Sequence, residues 1–254
     1  MREILRMITP GRCLLLFLDY DGTLVPIKRT PDRAVLPYRR KRFLEALSER
    51  MFICIVSGRS LADVRRCVGI EGLAYIGNHG LEARWGRRTW IHPLAKKRRP
   101  ALGRLLKRIE ARTRRFSRLF VEDKGVTGSV HFRRLDPALV APLRRIVADE
   151  VRRKGGTFMA TEGKKVLEIR PDIDWDKGLG IRKLMNWLPR ELEALRIFIG
   201  DDRTDEDAFL ALGGDSITIL VGHGRKTRAR YRLADVDRVW TFLAHCLRLL
   251  QDVK

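Results

Sequence analysis

The sequence predicts a doubly wound α/β domain built on a parallel sheet, with a smaller α+β domain inserted into it. Short apolar runs without polar alternation recur toward both ends of the chain, with helix-period segments between them. The middle of the chain instead pairs short strands around turns and follows each pair or precedes it with a helix. A length of 254 residues accommodates a core domain and an inserted one. The expected division is residues 1–93 and 173–254 for the core and 94–172 for the insertion.

The core strands are expected at CLLLFL (13–18), MFICIV (51–56), LAYIG (73–77), RIFIG (196–200) and SITILV (216–221). Such runs suit strands covered on both faces. Helical spacing appears in 37–50, 60–68 and 204–212, where Thr204 is the expected cap, and a closing helix is expected over 234–250. In the insertion, a basic helical pattern runs to about Phe116. Strands are expected at 118–125 and 127–134, a helix over 137–153, and strands at 157–163 and 165–171.

Hydrophobic residues make up 44% of the chain and charged residues 33%, a composition that can build a core. The formal net charge of +22 attracts anions of every kind without choosing among them. The basic stretches 39–42, 96–99 and 112–118 lack interleaved aromatics, so no specific nucleic-acid partner is expected. Cys13, Cys54, Cys67 and Cys246 form no C-x-x-C pair, and the first two sit in apolar runs as core residues. The charged N-terminal segment does not read as a signal peptide, and no apolar stretch reaches the length of a membrane span. A cytoplasmic, monomeric protein without a membrane partner is the expectation.

Ligands of open parallel sheets bind at the carboxyl ends of the strands. The first run ends in Asp19-Tyr20-Asp21-Gly22-Thr23, two carboxylates at one strand end. A lone D-x-D is more often a loop of solvated acids. The second run ends in Ser57-Gly58-Arg59-Ser60, a small hydroxyl beside a glycine that suits a phosphate oxygen, although Ser60 with Asp63 also reads as an ordinary helix cap. Lys177 opens a helix after the insertion, and the fourth run ends in Gly200-Asp201-Asp202-Arg203-Thr204-Asp205. Two acidic strand ends in one sheet suggest a shared hard cation with oxygen ligands, Mg²⁺ first. Each feature alone has a bland explanation; their order along the chain does not.

This ordered set resembles the haloacid dehalogenase (HAD) superfamily of phosphatases, with its Rossmann-like core. The resemblance implies that Asp19 attacks phosphorus, that Asp21 carries the proton, and that Ser57 and Lys177 hold the phosphoryl group. It further implies Mg²⁺ on Asp19, the main-chain carbonyl of Asp21, and Asp201, with Asp202 and Asp205 supporting that site.

A finer resemblance, to trehalose-6-phosphate phosphatases, covers nearly the whole chain. It rests on Gly77-Asn78-His79-Gly80-Leu81-Glu82, Glu122-Asp123-Lys124, His131-Phe132-Arg133, the 163–171 segment, Gly200 to Asp207, and Thr227-x-Ala229-x-Tyr231-x-Leu233. It implies an inserted cap domain that sets specificity and a small sugar-phosphate substrate. Arg59, His79, Glu122, Lys124, Arg133, Lys164 and Glu168 are the substrate-binding residues so implied. Alternation puts Glu122 and Lys124 on one face. For His79 and Glu82 a satisfied turn is an equal alternative. Another sugar phosphate, such as sucrose phosphate or a glycosyl-glycerate phosphate, remains the rival substrate.

Overall fold

A computed structural model describes residues 2–9, 12–28, 34–189 and 193–251. The chain divides into two compact units, Met1–Trp90 with Trp175–Lys254, and Ile91–Asp174.

The first unit opens with α1 (Arg2–Met7), β1 (Cys13–Asp19), α2 (Tyr38–Ser48), β2 (Phe52–Val56), α3 (Leu61–Val68) and β3 (Ala74–Gly77). A hairpin follows, β4 (Glu82–Trp85) and β5 (Arg88–Ile91). The second unit holds α4 (Pro93–Thr113), β6 (Phe120–Asp123), β7 (Gly128–His131), α5 (Pro137–Arg152), β8 (Phe158–Gly163) and β9 (Val166–Pro171). The chain then returns through α6 (Lys177–Met185), β10 (Ala194–Gly200), α7 (Glu206–Ala211), β11 (Ile217–Val221), β12 (Tyr231–Leu233) and α8 (Val236–Gln251).

The large sheet has the order β12-β11-β10-β1-β2-β3-β4-β5. Neighbours from β12 to β3 pair in parallel, and β4 turns antiparallel to β3. Strand alternation splits its side chains between two cores. Leu14, Leu16, Leu18, Ile53, Ile55, Ile197 and Ile199 pack with residues of α2, α3 and α8. Leu15, Phe17, Cys54, Val56 and Phe198 pack with residues of α6 and α7. Both faces are covered, which is why these runs carry no polar alternation.

Local chemistry sets the helix starts. Ser60 Oγ accepts from the Asp63 N–H at 3.2 Å, so its capping role is real, and α3 stops at Gly69 in the left-handed region. Asp176 caps α6 by accepting from the Leu179 N–H at 2.8 Å. The expected helix from Thr204 differs in detail. Arg203–Asp205 form a 3₁₀ turn whose cap position belongs to Asp202, and α7 starts only at Glu206. The cause is Asp205, whose Oδ2 accepts from the Asp202 N–H at 2.8 Å and tightens that turn.

The second unit is a four-stranded antiparallel sheet, order β6-β7-β9-β8. Val130, Leu167 and Ile169 face Leu102, Leu105 and Ile109 of α4 and Leu143, Ile146 and Val147 of α5. With a period of two, the intervening residues fall on the opposite face, and there Glu122, Ser129, Glu168 and Thr161 lie in one cross-strand row.

Candidate active site

Strand register brings the distant motifs together. Leu18 pairs with Ile199 and Asp19 with Val56, so Asp19 ends its strand beside Gly200, with Ser57 and Asp201 one residue further along each neighbour. Parallel pairing makes all three carboxyl ends point the same way.

Lys177, at the first position of α6, reaches into this end of the sheet. Its Nζ donates to Asp19 Oδ1 at 2.8 Å and to Asp205 Oδ1 at 2.7 Å. The lysine side chain is 3% exposed and that of Asp205 is fully buried, so neither charge is left to water. Burial pushes the Asp19 carboxyl well above its usual range, Lys177 opposes that push, and Asp205 and Asp201 add to it. Burial alone would lower the Lys177 ammonium, but Asp19 and Asp205 outweigh it and keep it protonated.

Asp19, Asp201 and Asp205 each offer an oxygen within 4.8 Å of the others. Three carboxylates against one ammonium leave the cluster negative, and all its donors are hard oxygens. That donor set fits a divalent cation of the Mg²⁺ or Ca²⁺ type. Two glycines permit the crowding. A Cβ on Gly22, whose φ is +93°, would lie 2.3 Å from Asp201 Oδ2, and one on Gly200 would lie 2.4 Å from the Asp205 carboxyl. Asp205 thus stands inside the cluster rather than behind it, while Asp202 meets it through the backbone.

The Asp21 carboxylate lies outside that trio. Arg59 grips it from two points, Nε to Oδ2 at 2.6 Å and Nη2 to Oδ1 at 2.8 Å. Arg59 Nη1 also donates to Asp63 Oδ2 at 2.6 Å, and its backbone N–H donates to Ser57 Oγ at 3.1 Å. Asp63 is legible only as a cap neighbour, because Arg59 stands before the Ser60 cap of α3 and no helical spacing links the two.

Glu82 proves to be the satisfied turn. Its Oε2 accepts from the Leu61 N–H at 3.0 Å and from Asn78 Nδ2 at 2.7 Å, with 6% of the residue exposed. His79 has a left-handed φ of +56° and lies against Gly58, where a Cβ would come 2.5 Å from its ring.

In the second unit, Lys124 Nζ donates to both Glu168 oxygens at 3.2 Å, and Ser129 Oγ donates to Glu168 at 2.9 Å. Glu122 pairs with His131 at 2.8 Å. Ser129 was not singled out from sequence, although the alternation of 128–131 places it in the row between the two glutamates. Arg133 donates to the Lys164 carbonyl at 3.0 Å, and both residues are exposed.

The family model described as trehalose-phosphatase matches residues 17–237, most of the chain. The chain belongs to the trehalose-phosphatase family. Among curated members, trehalose-phosphate phosphatase B of Arabidopsis thaliana is 35% identical over 252 residues, which cover 92% of this chain and 66% of that protein. Trehalose-phosphate phosphatase of Mycobacterium marinum is 35% identical over 89% of this chain and 59% of its own. This chain therefore spans about two thirds of these relatives or less. A crystal structure of a trehalose-6-phosphate phosphatase related protein superposes with a TM-score of 0.84, at 28% identity, covering 94% of this chain and all of that one. The fold matches the HAD fold of such structures, and in this chain Asp19 and Asp201 lie at the carboxyl ends of parallel strands.

Proposed function

We propose that this chain hydrolyses trehalose 6-phosphate to trehalose and phosphate, the final step of trehalose biosynthesis, with Mg²⁺ as its cation. The observation that carries the chemistry is the Lys177 ammonium seated between Asp19 and Asp205 at the sheet's carboxyl end. An Asp19 oxygen attacks phosphorus, the bond to the sugar oxygen breaks, and Asp21 passes its proton to that oxygen. Asp21 then takes a proton from water as the water oxygen bonds to phosphorus, and the bond to Asp19 breaks. Ser57 and Lys177 hold the phosphoryl oxygens. Asp19, Asp201 and the Asp21 main-chain oxygen would hold Mg²⁺, with Asp205 completing the acidic cluster and Asp202 in support, and the cation would offset the charge between anionic nucleophile and anionic substrate.

For the sugar, the supporting features are family membership and the polar row of the second unit, read here as the cap. Glu122, Lys124, Arg133, Lys164 and Glu168 offer donors and acceptors to hydroxyls. Lys124 and Glu168 pair with each other and Glu122 with His131, which holds these side chains in place before a sugar exchanges for their partners. His79 stays a substrate candidate from the core unit. Among the described residues no helix is long and apolar enough to cross a membrane; a cytoplasmic monomer is our reading.

Phosphate release from trehalose 6-phosphate, sucrose phosphate and a glycosyl-glycerate phosphate, each with and without Mg²⁺, tests this. The highest kcat/KM should belong to trehalose 6-phosphate with the cation. A higher value for sucrose phosphate would overturn the substrate assignment.

A further inference from the structure

Arg59 is a buried cation at the candidate site whose guanidinium is held by Asp21 and Asp63 and lies over the Tyr20 ring. Its side chain is 9% exposed, and a charge so placed is tolerated only when it is paired. The pairing is not spread evenly. One edge of the guanidinium, Nε and Nη2, takes both Asp21 oxygens at 2.6 and 2.8 Å. Nη1 reaches Asp63 at 2.6 Å and Cys67 Sγ at 3.6 Å. The carbon of the guanidinium stands 5.5 Å from the Tyr20 ring centroid. Tyr20 is itself fully buried and anchored by its hydroxyl to the Ala34 carbonyl at 2.6 Å.

The consequence is for Asp21. An aspartate has two side-chain torsions, and fixing both of its oxygens on a planar fork removes both. Each carboxylate oxygen has two lone pairs, and the fork uses one on each. Asp21 therefore keeps a place on each oxygen for a proton, and its side chain is 34% exposed, within reach of water. The fork itself is anchored by Asp63 on α3 and by the ring stacked on it.

We propose that Arg59 is the positioning residue for Asp21, aiming its carboxyl for proton transfer in both chemical steps rather than binding substrate. This rests on the reading of Asp21 as the proton carrier. Arg59 exchanges no proton itself. In the first step the proton goes from Asp21 to the leaving oxygen, and in the second it goes from water to Asp21. Misaiming a positioned acid–base group costs about 10²-fold or more, without loss of substrate affinity.

The test uses Arg59→Lys, which keeps the buried charge and loses the fork, together with Arg59→Gln, Asp21→Asn and the double variant Asp21→Asn/Arg59→Lys. Substrates are trehalose 6-phosphate and p-nitrophenyl phosphate, whose leaving group needs no proton. For Arg59→Lys we expect kcat on trehalose 6-phosphate to fall roughly 10²-fold with KM unchanged. With the aryl phosphate, a first-turnover burst of nitrophenolate should persist ahead of a slow steady state, because only the second step still needs Asp21. In the Asp21→Asn background, Arg59→Lys should change turnover less than about 2-fold.

A raised KM at unchanged kcat would make Arg59 a substrate contact and overturn the inference. So would a full multiplication of the two single effects, or a parallel loss of both steps together with the thermal midpoint. Normal turnover by Asp21→Asn alone would instead remove the proton-carrier reading, and the inference with it. Arg59→Gln separates charge from shape: a loss like that of Arg59→Lys supports the fork, and a loss only in Arg59→Gln overturns it.

Discussion

The Lys177 ammonium sits 2.8 Å from an Asp19 carboxylate oxygen, though 158 positions separate the two residues in the chain. Both are buried, and Asp205 completes the triad from the other side at 2.7 Å. Removing one partner of a buried pair leaves the rest uncompensated, so the lysine carries a structural charge balance besides the phosphoryl-binding role proposed for it.

Lys177→Met should therefore cost about 3–5 kcal/mol of stability at neutral pH and lower turnover by at least ~10²-fold. Denaturant melts and phosphate-release assays on the same preparation check both. Unchanged stability would mean that Asp19 and Asp205 do not depend on the ammonium.

Gly22→Ala tests the crowding beside Asp201. The positive φ alone costs about 1–2 kcal/mol for an alanine, and its Cβ meets the Asp201 carboxyl. The variant should need a higher Mg²⁺ concentration for half-maximal activity, and Asp201→Asn should need higher still. The metal titration of each variant is the measurement. Curves that overlay the parent would place the cation elsewhere.

The strand ends were readable because chemistry and topology coincide there. Five short, mainly apolar runs put Asp19, Ser57 and Asp201 at the ends of parallel strands, and those runs form β1, β2, β3, β10 and β11. The short elements were not readable. In β4 and β5, arginines on both faces blur the alternation, and β12 is three residues long. The side-chain partnerships were hidden for a different reason. Nothing local tells that Asp205 turns back to Lys177 instead of serving a helix dipole, or that Arg59 turns to Asp21 and Asp63. Such choices are made by buried charges seeking partners once the fold has closed.

Asp63 gives a pH-dependent stability. Burial raises its pKa, but hydrogen bonds from Arg59 and Arg66 outweigh this and leave it lower than in the unfolded chain. The folded state then binds fewer protons, so the contribution is present above the unfolded carboxylate value of about 4 and is lost as pH falls through the lowered folded value. The stability gap between wild type and Asp63→Asn should be widest near neutrality and narrow below about pH 4. A gap independent of pH would contradict this.

Glu168 lies in the polar row with both Lys124 and Ser129 on its carboxylate. Glu168→Ala should cut kcat/KM for trehalose 6-phosphate about 10²-fold, since a site built to hydrogen-bond hydroxyls depends on each partner. Hydrolysis of p-nitrophenyl phosphate should change little. The ratio of the two activities in mutant and wild type is the readout, and a parallel fall of both would take sugar recognition away from this row.

A covalent bond from Asp19 to phosphorus can be caught by rapid acid quench during turnover of trehalose 6-phosphate or p-nitrophenyl phosphate, reductive trapping of the acyl phosphate, and peptide mass spectrometry. Modification should be confined to Asp19, increased in Asp21→Asn when p-nitrophenyl phosphate is the substrate, and absent in Asp19→Asn. Trapping at another residue, or full turnover by Asp19→Asn, would contradict it.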